Sequence, residues 1–535
     1  MMNAIRDIID SGHISIGIEF GSTRIKTVLI DRQGNILAKG GFNWENQLLD
    51  GFWTYHKKDI WLGVQNAYSN LLTSVREEYG TVITKANAIG ISGMMHGYMP
   101  FDKNKNLLVP FRTWRNNNTL SAAKQLTHLF NYNIPQRWSV AHLYQAILNQ
   151  EEHVNKIDYL TTLAGYIHWR LSDNKVVGIG EASGMFPIDT MAQSYNNEML
   201  DDFNNLIKNE NYPWEIRHIL PKILLAGQEA GKLTASGARL LDPTGHLQAG
   251  IKMCPPEGDA GTGMVATNSI RKGTGNISAG TSAFAMIVLE KELSRVYEEL
   301  DMVTTPIGDL VAMAHANNCT SDINAWMALF SECLTAFGLK HNLDTVYETL
   351  FVKALEDSDP DCGDLLSYGF YSGEHSVGLS EGAPLFIHPV NSNFNLANFI
   401  SVHLYTAFGA MKLGLDILMK HEQVRIRQIL AHGGIFKTKN TASKILASAI
   451  NVPISVMDTA SEGGAWGMAL LANYLEQSRL GYSLEQYLDL VFHNIDMVVA
   501  KPDPIMVQGY EKFMLSYKQG IPIVKEAIKL NTKIH

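Results

Sequence analysis

The sequence predicts an α/β protein with two similar domains, and three observations support this prediction. The chain has 535 residues, which is too long for one hydrophobic core. Patterns typical of strands and of helices alternate through the first half, as they do in α/β domains. The second half then begins with a hairpin pattern like the one that opens the first half.

The elements of the first half follow from periodicity and turn residues. Three strands are predicted in the segments SIGIEF, IKTVLID and ILAKGGFNWE, which are rich in Ile and Val and are separated by the turns GST and RQGN. Residues 62–80 carry apolar side chains at helical spacing. NAIGISGMMHG, residues 87–97, is predicted to be a buried strand ending in a glycine-flanked turn, and residues 141–179 are mostly helical in pattern.

A weak internal repeat relates the two halves. IGIEFGSTRIKTVLI and GNISAGTSAFAMIVL each contain a strand, a glycine with two hydroxyl residues, and a second strand. The copies lie about 260 residues apart, which indicates duplicated domains rather than a solenoid with repeats of about 20 to 50 residues. The second half continues with predicted helices at 395–419 and 441–450, the strands RQILAHGG and VPISVMD, and the helical segment GGAWGMALLANYLEQ. The boundary is predicted between about residues 255 and 275.

Composition and charge argue against several classes of protein. Apolar residues make up 46% and charged residues 18%, and the net charge of -9 argues against a nucleic-acid or anionic-membrane partner. The four cysteines form no CxxC pair, which fits reduced thiols. The N-terminus lacks the apolar core of a secretory signal, and no uncharged apolar run is long enough to span a membrane. We therefore expect a soluble cytoplasmic protein.

The glycine turns suggest phosphate binding. Gly21-Ser22-Thr23 and Gly280-Thr281-Ser282 would each expose backbone N–H groups and hydroxyls that suit a phosphate, although a purely structural hairpin turn is the alternative. If the halves face each other across a cleft, both turns could bind one polyphosphate. Glu19 would then need a cation between itself and the phosphates, which Mg²⁺ could supply. Its alternative is an edge-strand Glu that faces solvent.

Six motifs, taken in order, resemble the FGGY family of carbohydrate kinases. They span roughly residues 14 to 475 and read IEFGSTRIKTVLID, GISGMMHG, GDAGTGMVA, NISAGTSAF, AHGGIFKTKNTASKILASAINVPI and SEGGAWGMALLA. The resemblance implies two actin-like (ribonuclease-H-like) ATPase domains with a central cleft. It also implies transfer of the γ-phosphoryl group of ATP to a hydroxyl of a small sugar, with ATP and Mg²⁺ as cofactors. The implied segments are an N-terminal extension (1–13), an N-terminal domain for sugar and phosphate (14–265), a C-terminal nucleotide domain (266–478) and a helical tail (479–535).

The same resemblance assigns the phosphate and nucleotide residues. Glu19 stands where the family has Asp, one methylene shorter, so Mg²⁺ binding through water is expected. The phosphate and ATP residues are Gly21, Ser22, Thr23, Lys26, Gly280, Thr281, Ser282, Gly433, Gly434 and Lys437, with the segment 437–440 beside adenine. Lys26 has the alternative of a solvated strand lysine. The glycine-rich segment 462–465 is interpreted as close helix packing near the nucleotide.

Asp259 matches the catalytic aspartate of the family. A carboxylate there would orient the acceptor hydroxyl and take its proton. Gly258 and Gly261 would leave room for the substrate. Asp259 could also cap the following helix, and the two roles are compatible.

The implied sugar ligands are less regular. Xylulokinases carry Gly-Gln-Met-His-Gly where this chain has Met94, Met95 and His96 between the glycines, and a structural histidine is the alternative for His96. The remaining assigned sugar residues are Trp114, Asn116, Glu181, Ser183 and Asp259, with Trp53 as either a sugar platform or a core aromatic. Asn116 replaces an acid of the family pattern, as Met94 replaces an amide, and both changes point to an altered substrate.

These residues favour an ATP-dependent kinase for a small sugar, with a ketopentose similar to xylulose or ribulose as the first expectation. A sugar- or nucleotide-sensing pseudokinase of the same fold is the alternative, because Glu19, Met94 and Asn116 depart from the family pattern. An actin-like structural polymer is a third hypothesis. The tail after residue 479 could serve a homodimer interface, although no pattern in it decides this.

Overall fold

The computed structural model of the protein describes residues 2–438, 440–457 and 463–534. The chain forms two compact units. Unit one comprises residues 1–271, 301–311 and 462–495, and unit two comprises residues 272–300, 312–461 and 496–535.

The units are not contiguous in sequence, unlike the four segments that the sequence analysis assigns. The helix Gly463–Arg479 belongs to unit one because it packs directly on the first strand, where Gly17 has no side chain. A Cβ at Gly17 would overlap the carbonyl of Ala465. The expected N-terminal extension contains the helix Met2–Asp10. The expected tail contains a strand as well as helices and is divided between the units, so the four segments remain a prediction about sequence organisation.

Unit one is built on a six-stranded mixed sheet. Its strand order is Lys252–Met253, Ala88–Gly93, Ser15–Phe20, Arg24–Ile30 and Ile36–Asn43, and Glu257–Gly258 also pairs with Ala88–Gly93. The first hairpin is antiparallel, whereas Ser15–Phe20 and Ala88–Gly93 are parallel. Ser15–Phe20 is buried along its whole length, as expected for the apolar run in a central strand. The predicted three-strand meander is therefore confirmed.

Helices cover this sheet. The 23-residue helix Lys57–Tyr79 presents Ile60, Val64, Leu71 and other apolar residues to the core at the predicted spacing, and it ends at Gly80 in the left-handed conformation. The other helices of unit one are Leu120–Phe130, Ser139–Leu148, Leu163–Ser172, Ile179–Ala182, Asn197–Leu206, Ile216–Ile219, Ala235–Leu241, Asp259–Ala266 and Leu484–Phe492, with short 3₁₀ turns at Glu152–Lys156 and Lys208–Glu210. Short strand pairs join Gln47–Leu49 to Phe52–Thr54, Met99–Phe101 to Tyr159–Thr161, Val176–Gly178 to Lys222–Leu224, and Ile188–Asp189 to Ser194–Tyr195. The strand Leu300–Thr304 lies almost entirely in the segment 301–311 of this unit.

Unit two repeats the strand pattern of unit one. Its strands run in the order Leu310–Ala316, Ala283–Val288, Thr274–Ala279, Gln428–His432, Ile454–Met457 and Met497–Ala500. The hairpin of Thr274–Ala279 and Ala283–Val288 is antiparallel, and Thr274–Ala279 pairs in parallel with Gln428–His432. This is the arrangement of the first hairpin and its parallel neighbour, so the predicted duplication is confirmed.

The helices of unit two include the two that the sequence predicts. Thr441–Ile450 matches its predicted bounds, and Leu396–Asp416 continues into a π turn at Ile417–His421. The remaining helices are Ser321–Ala336, Leu343–Asp357 and Pro504–Ile534, with 3₁₀ turns at Cys362–Asp364, His375–Val377 and Gly434–Lys437 and a strand pair Leu366–Tyr368 with Leu385–Ile387. Across the described part of the chain, no helix is both long and apolar enough to cross a bilayer.

Candidate active site

Three loops of unit one leave the same edge of its sheet. Ser15–Phe20 and Glu257–Gly258 are both parallel to Ala88–Gly93, so the carboxyl ends of these strands lie together. The loops or helices that follow begin at Gly21, Met94 and Asp259. In open α/β sheets, this edge is where ligands bind.

Glu19 lies on an interior strand, so the alternative of an edge residue facing solvent is wrong. Strands flank it on both sides, and it is 9% exposed. Its direct cross-strand neighbour is Lys26, whose Nζ lies 3.6 Å from Glu19 Oε2. Gly464 makes room for this carboxylate, because a Cβ at Gly464 would overlap Glu19 Oε1. The half-buried Lys26 therefore forms an ion pair with Glu19.

Asp259 is the first residue of the helix Asp259–Ala266, and the N-cap position belongs to Gly258. Its Oδ1 accepts hydrogen bonds from the backbone N–H groups of Ala260 (2.9 Å) and Met95 (3.2 Å). Burial first and the negative charge of Glu19 second raise the pKa of Asp259 to about 6. Asp259 is thus a helix-start carboxylate that is still ionised at neutral pH and is more basic than an ordinary Asp.

The donors at this edge fit a Mg²⁺ ion. Glu19 offers a carboxylate, and the increase that it causes in the pKa of Asp259 reveals two negative charges near each other. A cation would relieve that repulsion, and Mg²⁺ is commonly held by one or two carboxylates with phosphate oxygens and water. Within the described residues, no group of three or more His, Cys, Asp or Glu side chains forms a complete metal cage.

His96 occupies a conformation that is unusual for its residue type. Its φ is 72° and that of Gly97 is 100°, so the chain makes a left-handed turn directly after Met95. The buried imidazole stacks on Trp138 at 6.3 Å between ring centroids, and its Nδ1 lies 3.3 Å from the carbonyl oxygen of Gly184. The turn brings the Met95 N–H to Asp259. Whether His96 is a sugar ligand stays a prediction, and protein contacts already hold its ring on these sides.

A second buried carboxyl group, Glu257, was missed by the sequence analysis. Glu257 Oε2 accepts from the backbone N–H of Glu181 at 2.9 Å, and Gly178 and Gly180 leave the space that its carboxyl fills. Burial raises the pKa of Glu257 to about 8. No signal in the sequence around Glu257 indicates this burial, because Gly178 and Gly180 lie on a distant segment of the chain.

Glu181, which the resemblance assigns to the sugar, lies in the same buried cluster and is 0% exposed. Burial raises the pKa of Glu181 well above its usual range; Thr162 opposes this rise, whereas the charges of Glu257 and Asp259 add to it. The Ser183 hydroxyl forms two hydrogen bonds within the protein. It donates to the Gly180 carbonyl at 2.6 Å and accepts from the Thr304 N–H at 3.1 Å.

Trp114 and Asn116 form hydrogen bonds within unit one that the sequence did not predict. The indole N–H of Trp114 donates to Ser22 Oγ at 3.2 Å, which links the expected sugar segment to the predicted phosphate turn. Both amide hydrogens of Asn116 bond to the carbonyls of Trp53 and Thr113, and its Oδ1 accepts from the Trp53 N–H. Only one lone pair of Oδ1 is left for another partner.

Trp53 is partly covered by a cation. The guanidinium of Arg115 lies 3.9 Å from the centroid of the Trp53 ring. One face of this indole is therefore occupied. The two sequence-based readings of Trp53, sugar platform and core aromatic, both stay predictions.

In unit two, the predicted turn Gly280-Thr281-Ser282 closes the hairpin, with the Gly280 N–H donating to the Ser282 carbonyl at 2.9 Å. Gly433 has a φ of 126°, and a Cβ there would overlap the Ala279 carbonyl, so glycine is required at this strand end. Gly434 faces open space, and Lys437 is exposed at the end of the following 3₁₀ turn. Lys439 and Glu462, which belong to predicted segments, lie outside the described residues.

Comparison with known proteins identifies the family. The model for the N-terminal domain of the FGGY family of carbohydrate kinases matches residues 14–245, and the model for its C-terminal domain matches residues 275–476. The chain belongs to the FGGY family of carbohydrate kinases. The resemblance and fold class predicted from the sequence are thereby confirmed.

Relatives and solved structures agree with this assignment. The chain is 21% identical over 490 residues to a xylulose kinase of Haemophilus influenzae, covering 89% of this chain and 93% of that protein, and 20% identical to a xylulose kinase of Staphylococcus xylosus, covering 86% and 91%. It is similar in fold to a gluconate kinase of Lactobacillus acidophilus, with a TM-score of 0.77, 17% identity and coverage of 95% and 97%. Glycerol kinase of Plasmodium falciparum with ADP gives a TM-score of 0.73, 15% identity and coverage of 96% and 98%.

Within this FGGY kinase, unit one brings Asp259 and Met95, which are 164 residues apart in sequence, to the same edge as the hairpin pair Glu19 and Lys26. Trp114 forms a hydrogen bond with Ser22 in the predicted phosphate turn. In unit two, the glycine turn and the Gly433 strand end belong to neighbouring parallel strands. The individual roles of these residues stay predictions.

Proposed function

We propose that this FGGY kinase transfers the γ-phosphoryl group of ATP to a hydroxyl of a small sugar, a reaction of class EC 2.7.1.-, with Asp259 as the general base. The observation that carries the proposal is the carboxylate of Asp259, whose pKa of about 6 suits proton transfer near neutral pH. Asp259 stands at the carboxyl-end edge of the unit-one sheet, beside the loops that follow Gly21 and Met94.

The proposed reaction is an in-line displacement. The sugar oxygen forms a bond to the γ-phosphorus while the bond from that phosphorus to the β-γ bridging oxygen breaks, leaving ADP. The hydroxyl proton passes to Asp259, which the N–H groups of Met95 and Ala260 hold in place. Bound Mg²⁺ would offset phosphate charge, and Glu19 is the residue that would hold it, most simply through water.

The other assigned residues divide between the two substrates. Nucleotide contacts are proposed for Gly21, Ser22, Thr23 and Lys26 in unit one and for Gly280, Thr281, Ser282, Gly433, Gly434 and Lys437 in unit two. Sugar contacts are proposed for Met95, His96, Trp114, Asn116 and Glu181. A ketopentose similar to xylulose or ribulose is the proposed acceptor, supported by the names of the curated relatives. Met94 and Asn116 depart from the family pattern, which supports a substrate altered from xylulose itself.

The test is a panel of ketopentoses, polyols and sugar acids, each incubated with MgATP and scored for ADP release above the rate without sugar. Asp259→Asn keeps the size and loses the base, so turnover should fall by about 10²–10⁴-fold. The matched control is Asp102→Asn, at a partly exposed residue of the same unit whose Oδ1 accepts from the N–H groups of Asn104 and Asn106. Near wild-type turnover in Asp259→Asn would reject the base.

A sensing pseudokinase makes a different prediction in the same assay. It would bind ATP or a sugar in calorimetry and release no ADP with any acceptor. We also propose a cytoplasmic location, because ATP is the proposed donor and all four cysteines are free thiols. A homodimer stays a prediction that light scattering can check.

A further inference from the structure

The carbonyl groups of the unit-one turn are all bound by two aromatic residues. The indole N–H of Trp44 donates to the Gly21 carbonyl at 2.7 Å, and the hydroxyl of Tyr55 donates to the Ser22 carbonyl at 2.6 Å. The backbone N–H of Trp44 donates to the Thr23 carbonyl at 3.1 Å. Three consecutive carbonyls of a predicted phosphate turn are therefore bound by the side chains of Trp44 and Tyr55 and by the backbone N–H of Trp44.

This bonding sets the direction of the amide hydrogens. The described residues contain no cis peptide bond. In a trans peptide, the C=O and the following N–H point to opposite sides. Holding the Gly21 and Ser22 carbonyls on the aromatic residues therefore turns the N–H groups of Ser22 and Thr23 away from them. Adjacent N–H groups turned outward in this way form a cradle for an anion.

The aromatic pair is well fixed. The rings of Trp44 and Tyr55 stack with centroids 4.1 Å apart and planes 24° apart, and Phe20 and Phe111 pack around them. Both side chains are buried. Burial raises the pKa of Tyr55 to about 12, so its hydroxyl keeps the proton that it donates.

The side chain of Ser22 adds a hydroxyl donor to this turn. Its Oγ accepts from the Trp114 indole N–H at 3.2 Å, and that nitrogen can only donate. The hydroxyl proton of Ser22 is thus left to point at another acceptor. A phosphate oxygen is an acceptor of the required kind.

In unit two, different donors bind the carbonyls of the glycine turn. The Gly280 carbonyl accepts from the N–H of Thr320 at 3.1 Å and from its hydroxyl at 2.9 Å. The Thr281 carbonyl accepts from the N–H of Cys319 at 2.9 Å. The N–H groups of Thr281 and Ser282 are directed away from these donors by the same trans geometry. In both halves of the duplicated fold the carbonyls of the glycine turn are therefore bound within the protein, by aromatic side chains in unit one and mainly by backbone N–H groups in unit two.

We propose that Trp44 and Tyr55 are positioning residues of the unit-one turn, which bind its carbonyls so that the Ser22 and Thr23 N–H groups meet a phosphate of the nucleotide. The inference rests on the proposed function and goes beyond it, because it gives a role to two residues that act on the turn rather than on a substrate. Substitution of a positioning residue of this kind should weaken nucleotide binding and leave sugar binding unchanged.

The test is Tyr55→Phe, which keeps the stacked ring and removes only the hydroxyl donor. Its matched control is Tyr79→Phe in the same unit, which removes a hydroxyl bond to the Leu37 carbonyl at 2.8 Å, away from the turn. Tyr55→Phe should raise the KM for ATP about two- to tenfold, the effect of one lost hydrogen bond, and leave the KM for sugar unchanged. Tyr79→Phe should leave both values unchanged.

Trp44→Phe, which removes the indole donor, is measured by the same criterion and decides the question if Tyr55→Phe does not fold. An ATP KM in these variants equal to that of Tyr79→Phe would overturn the inference, as would equal increases in both KM values. Calorimetric titration with MgADP separates this result from a failure of the proposed function. If the wild type binds MgADP but phosphorylates no sugar, the kinase proposal fails, and weaker MgADP binding by Tyr55→Phe still supports the positioning role.

Discussion

The substitution Glu257→Gln should make stability less dependent on pH. Glu257 is fully buried, and burial raises its pKa from 4.5 to about 8. Between these values, the folded chain holds a proton that the unfolded chain releases, so stability is full below pH 4.5 and is lost as the pH rises towards 8. Each pH unit in this window costs about 1.4 kcal/mol, which gives about 3 kcal/mol between pH 5 and pH 7.5. Gln has a similar shape, can accept the Glu181 N–H bond and does not titrate.

The assay is chemical denaturation followed by tryptophan fluorescence at pH 5, 6, 7 and 7.5. The stability of the variant relative to wild type should rise steadily across this range, by about 3 kcal/mol in total. Glu45→Gln, at an exposed carboxyl of the same unit, is the matched control and should show no such trend. A constant difference between Glu257→Gln and wild type at all four pH values would refute the burial argument.

Three further predictions concern activity. The value of kcat/KM should rise with pH through about 6, because Asp259 must be ionised to accept a proton. Burial first and the charge of Glu19 second raise the pKa of Asp259 to this value. A kcat/KM that stays constant from pH 5 to pH 7 would contradict this prediction. Gly464→Ala should lower kcat at least tenfold, because the added methyl group would displace the Glu19 carboxylate. Gly463→Ala places its methyl group in open space one residue earlier and should leave kcat unchanged. Equal effects of the two substitutions would disprove the packing explanation. His96→Asn, which tolerates the left-handed backbone but loses the ring, should raise the KM for sugar about tenfold and spare that for ATP; unchanged sugar KM would leave His96 a structural residue.

Much of the fold could be predicted from local patterns. The strands at the two hairpins, the helix Thr441–Ile450 and the duplication all follow from periodicity and turn residues, which depend on neighbours within a few positions. The glycine turns could be singled out for the same reason, whereas Asp259 was singled out by the resemblance to the FGGY family. The family also follows from the sequence, since its motifs are short and occur in order.

Contacts between distant segments could not be predicted in this way. The parallel pairing of Glu257–Gly258 with Ala88–Gly93 places Asp259 against Met95, which is 164 residues away in sequence. No local signal assigns Glu257 to the space above two glycines on another segment.

By itself, the sequence determined the α/β class, the duplicated hairpins, the family and the chemical identity of the candidate residues, because these depend on short-range spacing and composition. Only the tertiary structure decided that Glu19 is an interior, ion-paired residue, that Trp114 binds Ser22, and that Trp44 and Tyr55 hold the turn carbonyls. These contacts arise from the register of strands and the packing of helices from remote parts of the chain. The geometry of these hydrogen bonds is set by the folded core rather than by residues that are neighbours in sequence.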